Sequence, residues 1–194
     1  MLRGTAIHEF AEYFWKNVKI KDDKLIIPII KDHHDKRVNG MIANMVKLEQ
    51  KRWRMCLKHN KRDCFMPVWT EKRLENDELL LRGIVDRLGR DFNGNLYVME
   101  LKSNSACKLT WGLVFELNFY KYLIENTVEL DSPLVDGLVY FPTDNSFVNL
   151  KLDKIDWVKK QIVKVKKGIA LGEFSHNPCC QYCDCDIGIK GKFT

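Results

Sequence analysis

Two strand-length runs joined by a tight turn, between Glu78 and Ser103, constrain this chain more than any other stretch of it. Leu79 to Leu88 and Leu96 to Ser103 are dominated by apolar residues, and Asp91-Phe92-Asn93-Gly94-Asn95 between them is turn chemistry, so the segment reads as an antiparallel hairpin. Alternate residues of a strand share a face, which points Glu100 and Lys102 one way and Met99 and Leu101 the other. The position of Asp86 depends on the turn. A two-residue Asn93-Gly94 loop sets Asp86 opposite Leu101, on the wrong face. A three-residue loop of Phe92, Asn93 and a left-handed Gly94 pairs Asp91 with Asn95 and sets Asp86 opposite Glu100. Only the second register gathers the two carboxylates. Such a pair repels unless a cation lies between them, and hard oxygen ligands suit Mg²⁺ or Mn²⁺. A neighbouring ammonium can neutralise charge building on a phosphate. Asp86, Glu100 and Lys102 therefore make chemical sense as a phosphodiesterase centre. The competing reading is a surface strand that shows one Glu and one Lys to water.

The flanking sequence supplies the scaffold for such a hairpin. Ile7, Phe10, Ala11, Phe14 and Val18 recur at helical spacing, with Thr5 expected as the N-cap. A second helix is expected from Asp35 to Lys61. Lys47, Lys51, Arg54 and Lys58 recur along it at three- and four-residue intervals, so they form one phosphate-contacting stripe. A strand over 66–74 precedes the hairpin. After it come a helix from Leu109 to Asn126, strands from Leu134 to Phe141 and from Phe147 to Leu152, and a lysine-rich helix from Asp153 to Leu171. This order describes an α/β (α+β) domain built on a small mixed sheet.

The chain has 194 residues, 45% of them hydrophobic, which is enough for one domain with a true core. Its charge is uneven. Residues 1 to 70 hold 15 basic and 8 acidic side chains, 71 to 150 hold 8 and 13, and 151 to 194 hold 9 and 5. Basic flanks around an acidic centre suit an enzyme that acts on a polyanion through a divalent metal, although solvated lysine-rich helices give the same arithmetic. No apolar run is long enough to span a membrane and no secretory signal is evident, so a cytoplasmic, intracellular location without membrane association is expected.

Seven cysteines are an odd number, and in a reducing compartment they argue against a disulfide framework. Four of them, Cys179, Cys180, Cys183 and Cys185, fall within seven residues of the C-terminal tail. Cys180-x-x-Cys183 is a spacing at which two thiolates reach one metal, and an all-sulfur site takes zinc or an iron–sulfur cluster. Cys56 and Cys107, taken singly, read as buried small hydrophobes.

Gly4-x-x-x-His8-Glu9, Gly83-x-x-Asp86, Glu100-x-Lys102, Glu116-x-x-x-Tyr120 and the terminal cysteines follow one another in an order that resembles the PD-(D/E)XK nucleases of the RecB type, including the CRISPR-associated RecB-like exonucleases. The resemblance runs over nearly the whole chain. It implies a restriction-endonuclease-like nuclease domain over residues 1–175, helical to about residue 65, with a cysteine-rich tail over 176–194. It implies a metal-dependent nuclease, an exonuclease on single-stranded DNA, that leaves 5′-phosphates. His8, Asp86, Glu100 and the Leu101 carbonyl would bind Mg²⁺ or Mn²⁺, Lys102 would serve the attacking water, and Tyr120 would complete the catalytic set. Its partners would be DNA and proteins of DNA repair, recombination or CRISPR adaptation.

Among these nucleases the tail cysteines Cys180, Cys183 and Cys185 would close a [4Fe-4S] cluster with a cysteine ahead of the histidine motif. No cysteine precedes Gly4 here, which leaves a shortened N-terminus, a substitute among Cys56, Cys64, Cys107 and Cys179, a zinc site, or no cluster. The family usually has Gln where Glu116 stands. That departure favours the alternative of a catalytically inactive nucleic-acid-binding or adaptor protein that keeps the nuclease fold. Glu71 falls where relatives often carry Glu, and by itself it reads as a lone exposed side chain. For His8 the plain alternative is a core-edge histidine bonded to Glu12, one turn away.

If the tail cysteines bind a metal, anaerobically purified protein contains either stoichiometric zinc or iron with a charge-transfer absorption band. Cys183→Ser then removes the metal and lowers thermal stability. Metal-free protein with unchanged melting behaviour is the outcome that refutes the tail assignment.

Overall fold

A computed structural model of the chain describes residues 3–104 and 109–173. It resolves two compact units, one over Met1–Asp153 and one beginning at Lys154. The first contains helices α1 (Arg3–Asn17), α2 (Lys36–Lys58) and α3 (Trp111–Glu125), and strands β1 (Lys19–Lys21), β2 (Lys24–Ile26), β3 (Trp69–Asn76), β4 (Leu81–Arg90), β5 (Leu96–Leu101), β6 (Leu134–Phe141) and β7 (Ser146–Lys151). Strands β3 to β7 form one mixed sheet in sequence order. All neighbours are antiparallel except β5 and β6, which run parallel. A parallel pair needs a crossover, and α3 provides it. The α/β architecture with its small mixed sheet is as expected.

The hairpin adopts the register that unites the carboxylates. Arg87 pairs with Met99 and Arg90 with Leu96, the Asp91 amide donates to the Asn95 carbonyl at 2.8 Å, and Gly94 has φ +90°. The same register carried one residue further sets Asp86 opposite Glu100. The Asp91 carboxylate fixes the loop by accepting the Asn93 and Asn95 amides, each at 2.8 Å.

Two cores flank the sheet. Ile7, Phe10 and Phe14 of α1 and Val38, Met41 and Met45 of α2 pack with Tyr97, Met99 and Leu101 of β5. Leu117, Leu123 and Ile124 of α3 pack with Leu96, Val98 and Val139 on the opposite side. Helix α2 starts at Asp35, whose carboxylate accepts the Arg37 amide at 2.9 Å and pairs with Arg3 Nε at 2.8 Å. Thr5 does not cap α1: the helix begins at Arg3, which places Thr5 inside it. The small β1–β2 hairpin was not expected from the sequence. It turns on Asp22 and Asp23, at φ +49° and +58°, and its strands have three residues each, too few to show alternation.

In the second unit, α4 (Ile155–Leu171) ends at Gly172, whose φ of +65° lets the Glu173 amide reach back to the Gly168 carbonyl at 2.8 Å. Among the described residues no helix is long and apolar enough to cross a membrane.

A buried ion pair locks α2 to the sheet. Glu49 Oε1 accepts from Arg87 Nη1 at 2.8 Å, and its other oxygen pairs with Arg52. Arg87 lies 4.7 Å from the Trp15 ring centre and Arg52 lies 5.9 Å from it, so both guanidinium groups rest on α1 as well. Burial alone would push the Glu49 carboxyl up, but the charges of Arg87 and Arg52 outweigh it and hold the group below the usual carboxylate range. Glu49→Gln leaves Arg87 buried without a counter-charge and is expected to cost about 3–5 kcal/mol in denaturant unfolding. A depressed folded-state value contributes stability above the unfolded value, about 4.3 for Glu, and loses it as pH falls through the folded value. The gap between wild type and Glu49→Gln should therefore be flat at neutral pH and close on acidification. A gap that widens in acid contradicts this account.

Candidate active site

Asp86 lies where β4 separates from both of its neighbours. On one side, Thr70 pairs with Arg87 and Lys72 with Val85, while Glu71 is left out of the ladder with φ +45°. On the other side, pairing with β5 runs only from Arg87 onward. Positive φ at a non-glycine residue costs on the order of 1–3 kcal/mol and persists only where its surroundings impose it. Here the gap in the sheet admits side chains. Asp86 Oδ2 accepts the Leu101 amide at 2.7 Å, in place of a ladder bond. Amide and carbonyl of one strand residue point to the same side, so the Leu101 carbonyl also faces the Asp86 edge.

Helix α1 brings His8 to the same place. With Ile7, Phe10, Ala11 and Phe14 buried, His8 projects from the helix flank, 3.0 Å from Glu71 Oε1 and 3.4 Å from Asp86 Oδ1 through Nδ1. Ligand atoms of His8, Glu71 and Asp86 all lie within 4.8 Å of one another. Glu12 does not hold His8; it pairs with Lys16 at 2.7 Å. Glu71 is not the lone exposed carboxylate its sequence context implied. It is half-buried, and the missed signal was a backbone irregularity that alternation along a strand cannot reveal.

Glu100 and Lys102 share the α3 side of β5, as alternation required. Lys102 Nζ lies 2.6 Å from Glu100 Oε1 and 3.0 Å from Glu116 Oε2 on α3. Gly83 allows this approach: a Cβ there would come within 3.3–3.4 Å of Leu123, Phe119 and Tyr120, so its absence lets α3 lie close over β4. Asp86 and Glu100 interact electrostatically, and Glu100 Oε2 is buried with no hydrogen-bond partner among the described residues.

The electrostatics express the crowding. Burial raises Asp86, and His8 and the Leu101 amide only partly offset it. Burial also raises Glu100, reinforced by Asp86 and Glu116. Two carboxyl groups in contact hold a proton between them when no cation does. Hydrogen bonding to Glu71 raises His8. Burial opposes the charge on Lys102, but its bonds to Glu100 and Glu116 prevail and raise it. Burial and the nearby carboxylates of Glu100, Glu116 and Asp86 raise the Tyr120 hydroxyl, which therefore stays protonated. A divalent cation fits this donor set: one imidazole, carboxylates pressed together, and an orphaned buried carboxylate oxygen. Of the residues expected from the sequence, His8, Asp86, Glu100, Leu101, Lys102 and Tyr120 converge here. Cys179, Cys180, Cys183 and Cys185 lie outside the described residues.

The family model of the PD-(D/E)XK nuclease superfamily matches residues 2–187 of the chain. No curated protein matches it.

In metal-free protein the His8 imidazole should titrate above the ordinary value of about 6.5, and Glu71→Gln should return it toward that value. Adding Mg²⁺ should lower the apparent value in wild type, because cation and proton compete for the same cluster. Imidazole NMR titration reads all three. A His8 titration insensitive to both Glu71→Gln and Mg²⁺ argues against a shared cation site.

Proposed function

The chain belongs to the PD-(D/E)XK nuclease superfamily, and from that premise we propose that it is a RecB-type, Mg²⁺- or Mn²⁺-dependent deoxyribonuclease, an exonuclease on single-stranded DNA. The observation that carries this reading is the cluster of His8, Glu71 and Asp86 ligand atoms within 4.8 Å, beside the buried Glu100–Lys102 pair. His8, Glu71, Asp86, Glu100 and the Leu101 carbonyl would hold the cation. When bound, it supplies Lewis acidity toward the phosphate oxygens.

The remaining chemistry falls to this chain's own side chains. Water attacks phosphorus and the P–O3′ bond breaks, leaving a 3′-hydroxyl and a 5′-phosphate. Lys102 is held as an ammonium by Glu100 and Glu116, so it orients the water and offsets charge on the phosphate rather than taking a proton. The protonated Tyr120 hydroxyl is a hydrogen-bond donor to the same group. Strand phosphates have basic surface to follow. A cavity of about 480 Å³ beside Ser103 is lined by Arg3, Arg37, Asn44 and Thr143 without a carboxylate among its lining residues. Lys47, Lys51, Arg54 and Lys58 continue along the exposed face of α2. One observation behind the adaptor alternative is Glu116, and here that carboxylate is paired with Lys102 and does not stand alone.

End-labelled linear and circular single-stranded DNA, digested in Mn²⁺ with wild type and Lys102→Ala in parallel, tests the assignment. Wild type should degrade the linear strand from its ends and spare the circle. Lys102→Ala should be slower by about a hundredfold or more, the usual scale for losing one charge-stabilising donor. No cleavage by either protein supports the adaptor reading, equal cleavage rates overturn the assignment of Lys102, and cutting of circles makes the enzyme an endonuclease.

A further inference from the structure

The β1–β2 hairpin has no part in the active site, yet the rest of the chain holds it firmly. The Trp53 indole donates to the Asp23 carbonyl at 3.0 Å, and Arg62 grips the Asp23 carboxylate through two bonds of 2.8 Å. Lys19 pairs with Ile26, Ile20 with Leu25 and Lys21 with Lys24, so Lys19, Lys21, Lys24 and Ile26 share one face. Leu25, on the other face, packs against the clusters that α1 and α2 bury. The lysine face is therefore turned to solvent, and all three of its lysines are exposed.

This face is assembled against its own stability. Lys21 and Lys24 stand directly opposite each other, with Lys19 two residues away on the same side, and like charges so placed destabilise a strand pair. Among the described residues no carboxylate forms a salt bridge with any of the three. Asp23 is taken by Arg62, which leaves Asp22 as the one other acidic side chain of the turn. Both aspartates have positive φ, and the second stands where such two-residue turns favour glycine.

We propose that Lys19, Lys21 and Lys24 form a docking face for the phosphate backbone of the nucleic-acid strand that the active site cleaves. The inference deepens the nuclease reading and rests on it for the identity of the polyanion. A lone exposed lysine is ordinarily solvated, but three unpaired ones on an anchored, strained hairpin are a conflict that phosphates relieve. The face also continues a basic track. Trp53 lies against the turn, and Arg54, its neighbour on α2, is exposed within the stripe of Lys47, Lys51, Arg54 and Lys58. Lys61, beside Arg62, is exposed as well. About 14 Å of α1 axis separates His8 from Asn17, the helix end that leads into the hairpin, so the contacts fall on phosphates away from the scissile one. They add affinity without reading sequence. Because Trp53 and Arg62 already hold the turn, docking costs little freedom beyond that of the lysine side chains.

The test is the anisotropy of a fluorescein-labelled oligothymidylate over a range of KCl concentrations, with constant Ca²⁺ in place of Mn²⁺. Two triple variants carry the same change in net charge: K19Q/K21Q/K24Q in the hairpin, and K160Q/K164Q/K167Q at exposed positions of α4. The hairpin variant should bind about ten- to a hundredfold more weakly at low salt, and its plot of log affinity against log salt should be flatter by about 2, the scale of three lost contacts to a single strand. Its melting temperature should equal or exceed that of wild type, because the repulsion is gone. Lys21→Gln alone should flatten the plot by about 0.7, which keeps the reading if the triple variant folds poorly. Equal weakening of both triple variants makes the effect one of net charge, and unchanged affinity and slope in the hairpin variant make the face solvated surface; either overturns the proposal. So does a hairpin variant that keeps its DNA affinity but loses binding to polyglutamate or to phosphatidylserine vesicles, which gives the face to an acidic protein or a membrane. Cleavage by wild type in Mn²⁺ is scored apart. A non-cleaving protein whose hairpin variant loses affinity keeps the docking face and loses the nuclease, while a cleaving one whose affinity is unmoved loses only the face.

Discussion

The ion pair between Arg87 and Glu49 fixes the frame in which everything else is placed. A guanidinium buried in the middle of a sheet needs a paired counter-charge, which a helix delivers here, and Glu49 sets where α2 crosses β4. Arg52 and the Trp15 ring complete the cage, which ties α1 to the same point. Once α1 is held there by Trp15, the same flank two turns earlier carries His8 to the gap beside Asp86. Two adjacent residues of β4 thus carry buried, opposite charges. The protein answers one of them itself.

Asp86 is answered differently. Its carboxylate gains one amide and a nearby imidazole, but the charge of Glu71 works against it, and Asp86 in turn works against Glu100. A sequence shaped only for stability would place one of these carboxylates elsewhere, since unpaired buried charge is among the costliest features a fold can carry. The left-handed backbone at Glu71 adds strain to the same spot. Strain and repulsion concentrated on four side chains, within an otherwise consistent fold, mark where local rules have yielded to function. The Glu100 oxygen, buried with no hydrogen-bond partner among the described residues, belongs to the same conflict and fits the donor set of a divalent cation.

Much of this was legible in the sequence because period and turn chemistry are local. Asn93-Gly94 marks the turn and leaves two registers, of which the Asp91–Asn95 pairing realises the one that gathers the carboxylates, while alternation places Glu100 beside Lys102 in either. The helical faces of α1 and α2 follow from their apolar spacing in the same way. What escaped was what depends on contacts distant in sequence or on broken regularity. Glu71 looks like any exposed strand residue until its own φ turns it out of the ladder toward a helix more than sixty residues earlier. His8 has Glu12 one turn away, so sequence spacing offers it a partner that packing gives to Lys16 instead. Arg87 and Glu49 carry no local signal that they will be buried together. The β1–β2 hairpin escaped for a simpler reason, since three-residue strands are below the length at which a period can be read.

Glu116 shows how a departure from the family pattern can be absorbed. A carboxylate near the path of a polyanion repels it, and in isolation the exchange of Gln for Glu weakens the case for a nuclease. The structure places that charge 3.0 Å from an ammonium that already serves a second carboxylate. Lys102 then sits between Glu100 and Glu116, and its proton is held from both sides, which fixes it as a charged donor. The amine is therefore held in its charged form by two carboxylates, which suits it to offsetting charge on a phosphate more than to taking a proton. In the proposed reading, polarising the phosphate would then fall to a cation beside Asp86, Glu71 and His8. The acidity of the site and the fixed charge of its lysine are two sides of one arrangement.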